Sequence, residues 1–257
     1  GALARAVMAR QLNAVDGVVS PSAQVKDKLL EYGVTRPIEV IPTGMTADRF
    51  VPGDGERFRR EHGIEQGRPM LLTLGRVAHE KNLGFLLQMF ATLQARVPAA
   101  LFVIAGEGPA RAALEREAQS LGIASSLRFV GNLDRRRGLS DCYAAADVFV
   151  FASRTETQGL VLLEAMAQSL PVVSTACLGT RSVLMPASGA WVVPESHTEF
   201  AEAVAPAGIG DDGGGHRGRE ADDDHRDERG NREAWQTVDL GRNRQPRPHE
   251  PAHGHQP

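Results

Sequence analysis

The sequence predicts an α/β protein built on a doubly wound parallel sheet, preceded by part of a second domain and followed by a disordered tail. From residue 70 to residue 204, short apolar runs typical of strands alternate with segments of helical periodicity. The strand-like runs are continuously apolar, which indicates parallel strands covered by helices on both faces. Beyond residue 205, aliphatic side chains almost cease, and such a segment buries too little apolar surface to order itself.

The main domain is assigned to residues 70–205 because strand and helix patterns follow one another there without a gap. Strands are predicted at 70–76, 100–108, 127–131, 147–153, 171–175 and 190–193. Helices are predicted at 82–97, 109–122, 137–146, 159–169 and 198–204. Right-handed crossovers between successive parallel strands make this a Rossmann-like sheet, in which ligands bind at the carboxyl ends of the strands.

The first 69 residues hold fewer elements. Helical patterns cover residues 2–15 and 23–34, and strand patterns lie within 16–22 and 38–44. These are too few for a complete sheet, so we interpret residues 1–42 as the remnant of an N-terminal domain in a truncated protein. Residues 43–69 are interpreted as an interdomain linker with one short helix.

Residues 206–257 contain 9 Gly, 8 Arg, 11 acidic residues and no Lys. Their aliphatic residues larger than Ala are Ile209, Val238 and Leu240. We predict a disordered tail, and its composition is also what out-of-frame reading of a GC-rich gene would produce. This tail accounts for the whole net charge of −3, so the folded part is neutral and a basic nucleic-acid surface is not expected.

Other function classes are disfavoured by motifs that the sequence lacks. It has no G-x-G-x-x-G fingerprint between a predicted strand and a predicted helix, no P-loop, and no residue spacing typical of a metal site. Cys142 and Cys177 fall in different strand–helix units and are interpreted as reduced thiols of a cytosolic protein. No signal peptide is recognisable, and no apolar run approaches the roughly 20 residues of a membrane-spanning helix.

The stretch "ETQGLVLLE" places Glu156 before a predicted helix start and Glu164 inside that helix. The amide groups at a helix start bind phosphate, and Gly159 lets a ligand approach the backbone. Eight helical residues would span about 12 Å, near the length of a sugar joined through a diphosphate to a ribose. One acid would then bind the sugar and the other the ribose. In the alternative interpretation, Glu164 is an exposed helix glutamate and Glu156 a charge at the helix start.

Three further loops follow predicted strands at the same edge of the sheet. "LGRVAHEKN" (74–82) provides Arg76 and Lys81, which would neutralise a diphosphate without a metal, or simply form a solvated basic loop. "AGEGP" (105–109) is a tight turn with Gly106 and Gly108. "VGNLD" (130–134) contains Asn132, and the backbone of this loop would contact a nucleobase.

Taken together, these motifs resemble the nucleotide-sugar-binding half of the retaining GT-B glycosyltransferases of family 4. The resemblance covers residues 70–200 in the family's order, and Glu156 and Glu164 fit its E-x7-E pattern. "IPTG" (41–44) and "DRF" (48–50) resemble the junction between the family's two domains. "SRTETQGL" is also similar to glycosyltransferases that glucosylate diacylglycerol.

The resemblance implies a role for each site residue. Arg76 and Lys81 would hold the donor diphosphate, and Glu156 would contact the donor sugar; these three are the predicted catalytic residues. Glu164 would bind the ribose. The remaining donor-binding residues are predicted to be Thr157, Gly159, Leu160, Gly106, Gly108 and Asn132.

We therefore expect a retaining hexosyltransferase that uses a UDP- or GDP-linked sugar as substrate, with a lipid or saccharide as acceptor. No metal or other cofactor is expected, and no nucleic acid partner. The protein is expected in the cytoplasm, with peripheral association at the inner face of a membrane through the rest of the N-terminal domain. The alternative is a fragment that binds a nucleotide sugar without catalysing transfer.

Overall fold

The structure is a computed structural model that describes residues 1–46, 51–134, 137–184, 189–205, 207 and 209. It begins with helix α1 (Ala2–Leu12), strand β1 (Val18–Ser20), helix α2 (Ala23–Glu31) and strand β2 (Ile38–Val40). The two strands pair in parallel, and a small core of Ala9, Val34 and Ile38 lies beside them. Ser22 caps α2 by accepting a hydrogen bond from the Val25 amide through its side chain.

Six parallel strands form the main sheet. They are β3 (Met70–Leu74), β4 (Leu101–Ala105), β5 (Leu127–Gly131), β6 (Val148–Phe151), β7 (Val172–Ser174) and β8 (Ala190–Val192). Their spatial order is β5-β4-β3-β6-β7-β8, so the chain winds outward from β3 in one direction and then from β6 in the other. The doubly wound parallel sheet predicted from the apolar runs is confirmed.

Helices cover the sheet on both faces. One face carries α4 (Leu83–Gln94), α5 (Arg111–Ser120) and α8 (His197–Val204), whose apolar residues share a single buried cluster. The other face carries α3 (Gly55–Glu61), α6 (Gly138–Ala145) and α7 (Leu160–Ala167), with a second cluster. Neighbouring strand residues contribute to opposite clusters: Leu71 belongs to the first, and Met70 and Leu72 belong to the second. This explains why the strands read as unbroken apolar runs.

The segment interpreted as a linker contributes to the core of the main sheet. Helix α3 packs against α6, and its Phe58 is 2% exposed. The neighbouring Arg59 is also buried and donates hydrogen bonds to the Ala145 carbonyl oxygen at 2.7 and 3.0 Å and to the Asp147 carboxylate at 3.3 Å. Burial holds the pKa of the Arg59 guanidinium below its usual value, while Asp147 opposes that shift. The domain division itself stays a prediction.

The first residues of the predicted tail also pack. Ala207 and Ile209 are buried in the same cluster as residues of α4 and α8. Ile209 is one of the few large aliphatic residues after position 205. The rest of the predicted tail and the "DRF" motif (48–50) lie outside the described residues. Across the part of the chain that the structure describes, no helix combines the length and apolarity needed to cross a membrane.

Candidate functional site

The sheet reverses its winding direction between β3 and β6, and the loops that follow these two strands diverge there. Doubly wound sheets bind ligands in the crevice at this point, outside the carboxyl ends of the strands. The loop after β3 begins with Gly75 and Arg76, and the loop after β6 leads to Glu156. The topology therefore brings to one crevice two motifs that are about 80 residues apart in sequence.

Lys81 and Glu156 form an ion pair across this crevice. The Lys81 Nζ atom donates to Glu156 Oε2 at 2.9 Å, and the two side chains are 23% and 21% exposed. Lys81 ends a 3-10 turn, His79–Lys81, which the sequence analysis did not predict. Asn82 follows it with φ 56°, a left-handed conformation that Asn tolerates better than most residues, and α4 starts at the next residue.

Arg76 is exposed at the rim of the same crevice. It lines a small depression together with Lys81 and with Phe151, the last residue of β6. The predicted cationic pair is thus brought together at one place. The interpretation as a merely solvated loop does not fit Lys81, whose charged group already has a carboxylate partner.

Gly106 and Gly108 bring the loop that follows β4 against the loop that holds Arg76. A Cβ on Gly106, whose φ is 132°, would lie 1.9 Å from the Gly75 carbonyl oxygen, and one on Gly108 would lie 2.3 Å from the Val77 carbonyl oxygen. The Val77 amide also donates to the Glu107 carbonyl oxygen at 3.0 Å. These glycines therefore position the Arg76 loop through close backbone contact. Their predicted contact with a donor stays a prediction.

Glu164 lies inside the protein, so the interpretation of it as an exposed helix glutamate is wrong. Glu164 is 5% exposed, and the Tyr143 hydroxyl lies 3.1 Å from its Oε2 atom. Tyr143, on α6, is 2% exposed, and its hydroxyl also lies 3.2 Å from the Val161 carbonyl oxygen. A buried carboxylate is costly and needs hydrogen-bonding partners. The Tyr143 hydroxyl provides one such partner for Glu164.

Glu156 and Glu164 lie on opposite sides of the start of α7, as predicted, but the residues between them are only partly helical. Helix α7 begins at Leu160, so Glu156 and the next three residues form a loop, and the 12 Å estimated for eight helical residues does not apply. Gly159 precedes the helix with φ 82° and is buried against Leu162 and Thr180. The structure shows Gly159 in a left-handed turn that leads into the first amides of the helix, and its contact with a donor stays a prediction.

The loop that carries Glu156 is fastened from both sides. Ser22 donates its hydroxyl to the Thr157 carbonyl oxygen at 2.9 Å. Gln158 exchanges two hydrogen bonds with the Thr43 backbone, at 2.9 and 3.1 Å. Residues 1–46 thus hold this loop directly, which the sequence did not reveal.

A third contact holds the same loop from the main sheet. The Gly179 amide donates to the Glu156 carbonyl oxygen at 3.0 Å, and a Cβ on Gly179 would lie 1.8 Å from the Thr157 carbonyl oxygen. Gly179 belongs to a 3-10 turn, Leu178–Ser182, that follows β7. With its backbone so constrained, the loop presents the exposed Thr157 side chain and the half-buried Glu156 at the crevice.

Asn132 lies farther along the same edge, after β5. The Gly106 amide donates to the Gly131 carbonyl oxygen at 2.7 Å, which holds the start of this loop near the turn that follows β4. Asn132 itself is exposed. All the predicted site residues except Glu164 and Leu160 therefore come from loops at the carboxyl edge, and these two belong to α7, which starts there.

A wider cavity of about 530 Å³ opens beyond the ends of β7 and β8, next to the crevice. Its lining includes Thr175, Cys177, Arg181 and Glu195, none of which was predicted as a site residue. A hydrogen bond from Arg154 holds the pKa of the Glu195 carboxyl below its usual value. Within the described ranges, no group of three or more His, Cys, Asp and Glu side chains is arranged to hold a metal ion.

Two family models match the chain in succession. The model described as "Glycosyl transferases group 1" matches residues 54–207, and the model described as "Glycosyltransferase Family 4" matches residues 1–49. The first covers the whole main sheet with α3. The second covers the segment that holds the Glu156 loop through Ser22 and Thr43.

Individual relatives agree with this result. An alpha-monoglucosyldiacylglycerol synthase of Streptococcus pneumoniae is 37% identical over 168 residues, which are 63% of this chain and 38% of the relative. A D-inositol 3-phosphate glycosyltransferase of Geodermatophilus obscurus is 35% identical over 201 residues, 74% of this chain and 44% of the relative. The solved structure of a sucrose-phosphate synthase from Thermosynechococcus elongatus has a TM-score of 0.70 at 26% identity, covering 79% of this chain and 51% of that one. The chain thus spans about half the length of these proteins or less.

Proposed function

Because the chain belongs to the group 1 glycosyltransferases, we propose that it forms the donor site of an enzyme that transfers a hexose from a nucleotide sugar, with retention of anomeric configuration. The observation that carries the proposal is the crevice at the sheet's switch point. It combines the Lys81–Glu156 contact, the exposed Arg76 and the amide-bearing start of α7. Cations, amides and an acid within one crevice suit a diphosphate joined to a sugar.

The residues act on the bond between the sugar and the diphosphate. When that bond breaks, negative charge grows on the departing diphosphate, and Arg76 and Lys81 stabilise it together with the amides at the start of α7. Glu156 accepts hydrogen bonds from hydroxyl groups of the sugar. Glu164, held by Tyr143, accepts them from the ribose. The positive charge comes from side chains and amides, so no metal ion is required in this scheme.

The acceptor is a lipid or a saccharide. The Streptococcus relative is named for making a glucosyldiacylglycerol, a lipid product, and the Geodermatophilus relative is named for D-inositol 3-phosphate. The similarity of "SRTETQGL" to glycosyltransferases that glucosylate diacylglycerol is supported by the Streptococcus relative. A lipid acceptor would bring the enzyme to a membrane surface, and sedimentation with lipid vesicles would measure that association.

Binding and transfer are tested separately. Calorimetric titration of the chain with UDP, GDP and ADP measures binding, and incubation with labelled nucleotide sugars and lipid or saccharide acceptors measures transfer. Binding with transfer supports the proposal. Binding without transfer or donor hydrolysis favours the alternative, a nucleotide-sugar-binding module. The absence of both would contradict the proposed site.

Replacing Glu164 by alanine is expected to weaken nucleotide binding by about 1–3 kcal/mol, the range for a lost charge-assisted hydrogen bond. The measurement is the dissociation constant of UDP or GDP by calorimetry. Glu164→Gln, which keeps the shape, separates loss of charge from loss of packing. Glu202→Ala, at an exposed position on α8, is the matched control and should leave binding unchanged. Unchanged affinity in Glu164→Ala would remove this residue from the site.

Tyr143 is predicted to position Glu164. Tyr143→Phe removes the hydroxyl that lies 3.1 Å from the carboxylate but keeps the ring that packs 5.7 Å from the Phe149 ring, centroid to centroid. We expect the dissociation constant for UDP to rise about threefold to tenfold, the effect of losing one typical intramolecular hydrogen bond. A 2′,3′-dideoxy nucleotide should bind both proteins equally, since it lacks the hydroxyls that Glu164 would hold. An equal loss with the dideoxy nucleotide would indicate a purely structural role.

A further inference from the structure

The Lys81–Glu156 ion pair joins two residues to which the proposed function gives different parts of the donor. Lys81 is assigned to the diphosphate and Glu156 to the sugar, yet the two side chains contact each other at 2.9 Å. Both are mostly shielded from water, with 23% and 21% exposure. A diphosphate that binds Lys81 must therefore share or displace the Glu156 carboxylate, which already partly neutralises the ammonium charge.

The cost of this competition depends on what else the ligand carries. A nucleoside diphosphate without a sugar draws Lys81 away and leaves the Glu156 carboxylate facing phosphate, with no new donor for its oxygens. Because both side chains keep about one-fifth of their exposure, the lost ion pair costs up to about 1 kcal/mol. A nucleotide sugar offers hydroxyl groups to the same carboxylate, so both members of the pair regain a partner.

We infer that Glu156 sets the preference of the site for the sugar-bearing donor over the free nucleoside diphosphate, by competing for Lys81. This inference rests on the proposed function and goes beyond it, since it assigns Glu156 a role in specificity and in product release. Once the sugar has left, Glu156 regains Lys81 and displaces the diphosphate.

The backbone of the Glu156 loop favours such an exchange of partners over movement of the loop. The Glu156 and Thr157 carbonyl oxygens accept hydrogen bonds from the Gly179 amide and the Ser22 hydroxyl, and Gln158 is bound to the Thr43 backbone. With the backbone so fixed, the carboxylate exchanges partners by side-chain rotation. The lysine side chain, with four rotatable carbons, follows the phosphate.

The test compares dissociation constants for UDP against UDP-glucose and for GDP against GDP-mannose, in the full chain and in Glu156→Gln. We expect Glu156→Gln to bind the diphosphates about threefold tighter, because a partly shielded competing ion pair is lost, and the nucleotide sugars no tighter than the unaltered chain. Glu156→Ala, which removes the carboxylate altogether, should change the diphosphate affinity in the same direction. Thermal unfolding midpoints of both variants confirm that they fold.

A double-mutant cycle separates competition for Lys81 from a general effect of charge. In the Lys81→Ala background, Glu156→Gln should leave diphosphate affinity unchanged. Glu80→Gln removes a neighbouring exposed acid and should have no comparable effect. The inference is overturned if Glu156→Gln fails to tighten diphosphate binding, or if it tightens it equally without Lys81. If the unaltered chain binds none of the four ligands, the proposed function fails, and the inference falls with it.

Discussion

Replacing Lys81 by alanine is expected to lower sugar transfer roughly 100-fold to 1000-fold, the usual cost of removing one preorganised group that stabilises developing negative charge. Lys81 meets the requirements for such a group. Its Nζ atom is held at the switch point by Glu156 at 2.9 Å, and it reaches the crevice that Arg76 also lines. The loss should appear mainly in kcat, because the charge on the diphosphate is greatest when the sugar bond breaks.

Folding stability should change little in the same variant. The Lys81–Glu156 pair is partly exposed, and pairs of that kind contribute about 0–1 kcal/mol. Lys28→Ala is the matched control, because Lys28 on α2 also forms an ion pair, with Glu31, and their side chains are 42% and 61% exposed. It should retain full activity. A thermal shift in Lys81→Ala large enough to account for the loss of activity would contradict a direct role.

Gly106→Ala is expected to destabilise the fold by about 3–5 kcal/mol, because it combines a steric clash with a backbone conformation that L residues rarely adopt. The new Cβ would lie 1.9 Å from the Gly75 carbonyl oxygen, and φ is 132°. The contacting atom is backbone in a neighbouring loop, so no side chain can move aside. The Arg76 loop would have to shift, and nucleotide binding should fall together with stability.

Gly84→Ala provides the opposite control in the same protein. Gly84 lies inside α4, and its new Cβ would meet the flexible carboxylate of Glu117 at 3.1 Å. Alanine is favoured over glycine within helices by about 1 kcal/mol. We therefore expect Gly84→Ala to be neutral or slightly stabilising. Urea-induced unfolding measures both variants, and equal midpoints for the two would show that the close loop contact at Gly106 is not rigid.

Much of the fold could be predicted from the order of apolar patterns along the chain. The run "LRFVG" became β5 with its predicted bounds, and the other main-sheet strands ended within three residues of their predictions. Strands buried on both faces leave this signature because every side chain meets a helix layer. The short 3-10 turns His79–Lys81 and Leu178–Ser182 were missed, since such turns have no periodic pattern to detect.

The chemistry of the candidate site was also predictable as a set of residues, because charged and glycine residues stand out where they directly follow a strand. Arg76 and Glu156 were identified in this way, and Lys81 was identified by its place just before a predicted helix. The residues that hold them were not. Tyr143 lies 21 positions before Glu164, and Ser22 lies 135 positions before Thr157. Contacts over such distances leave no local pattern.

By itself, the sequence determined which segments become strands and helices and which charged residues lie at the strand ends. Burial on two faces and helical periodicity can both be recognised in a short stretch of sequence. Only the tertiary structure determined which of these loops and side chains contact each other. The order β5-β4-β3-β6-β7-β8 places the loop of Lys81 beside that of Glu156, and Tyr143 on α6 meets the buried Glu164 on α7. The physical reason is that pairing of strands and desolvation of side chains depend on neighbours distant in the chain.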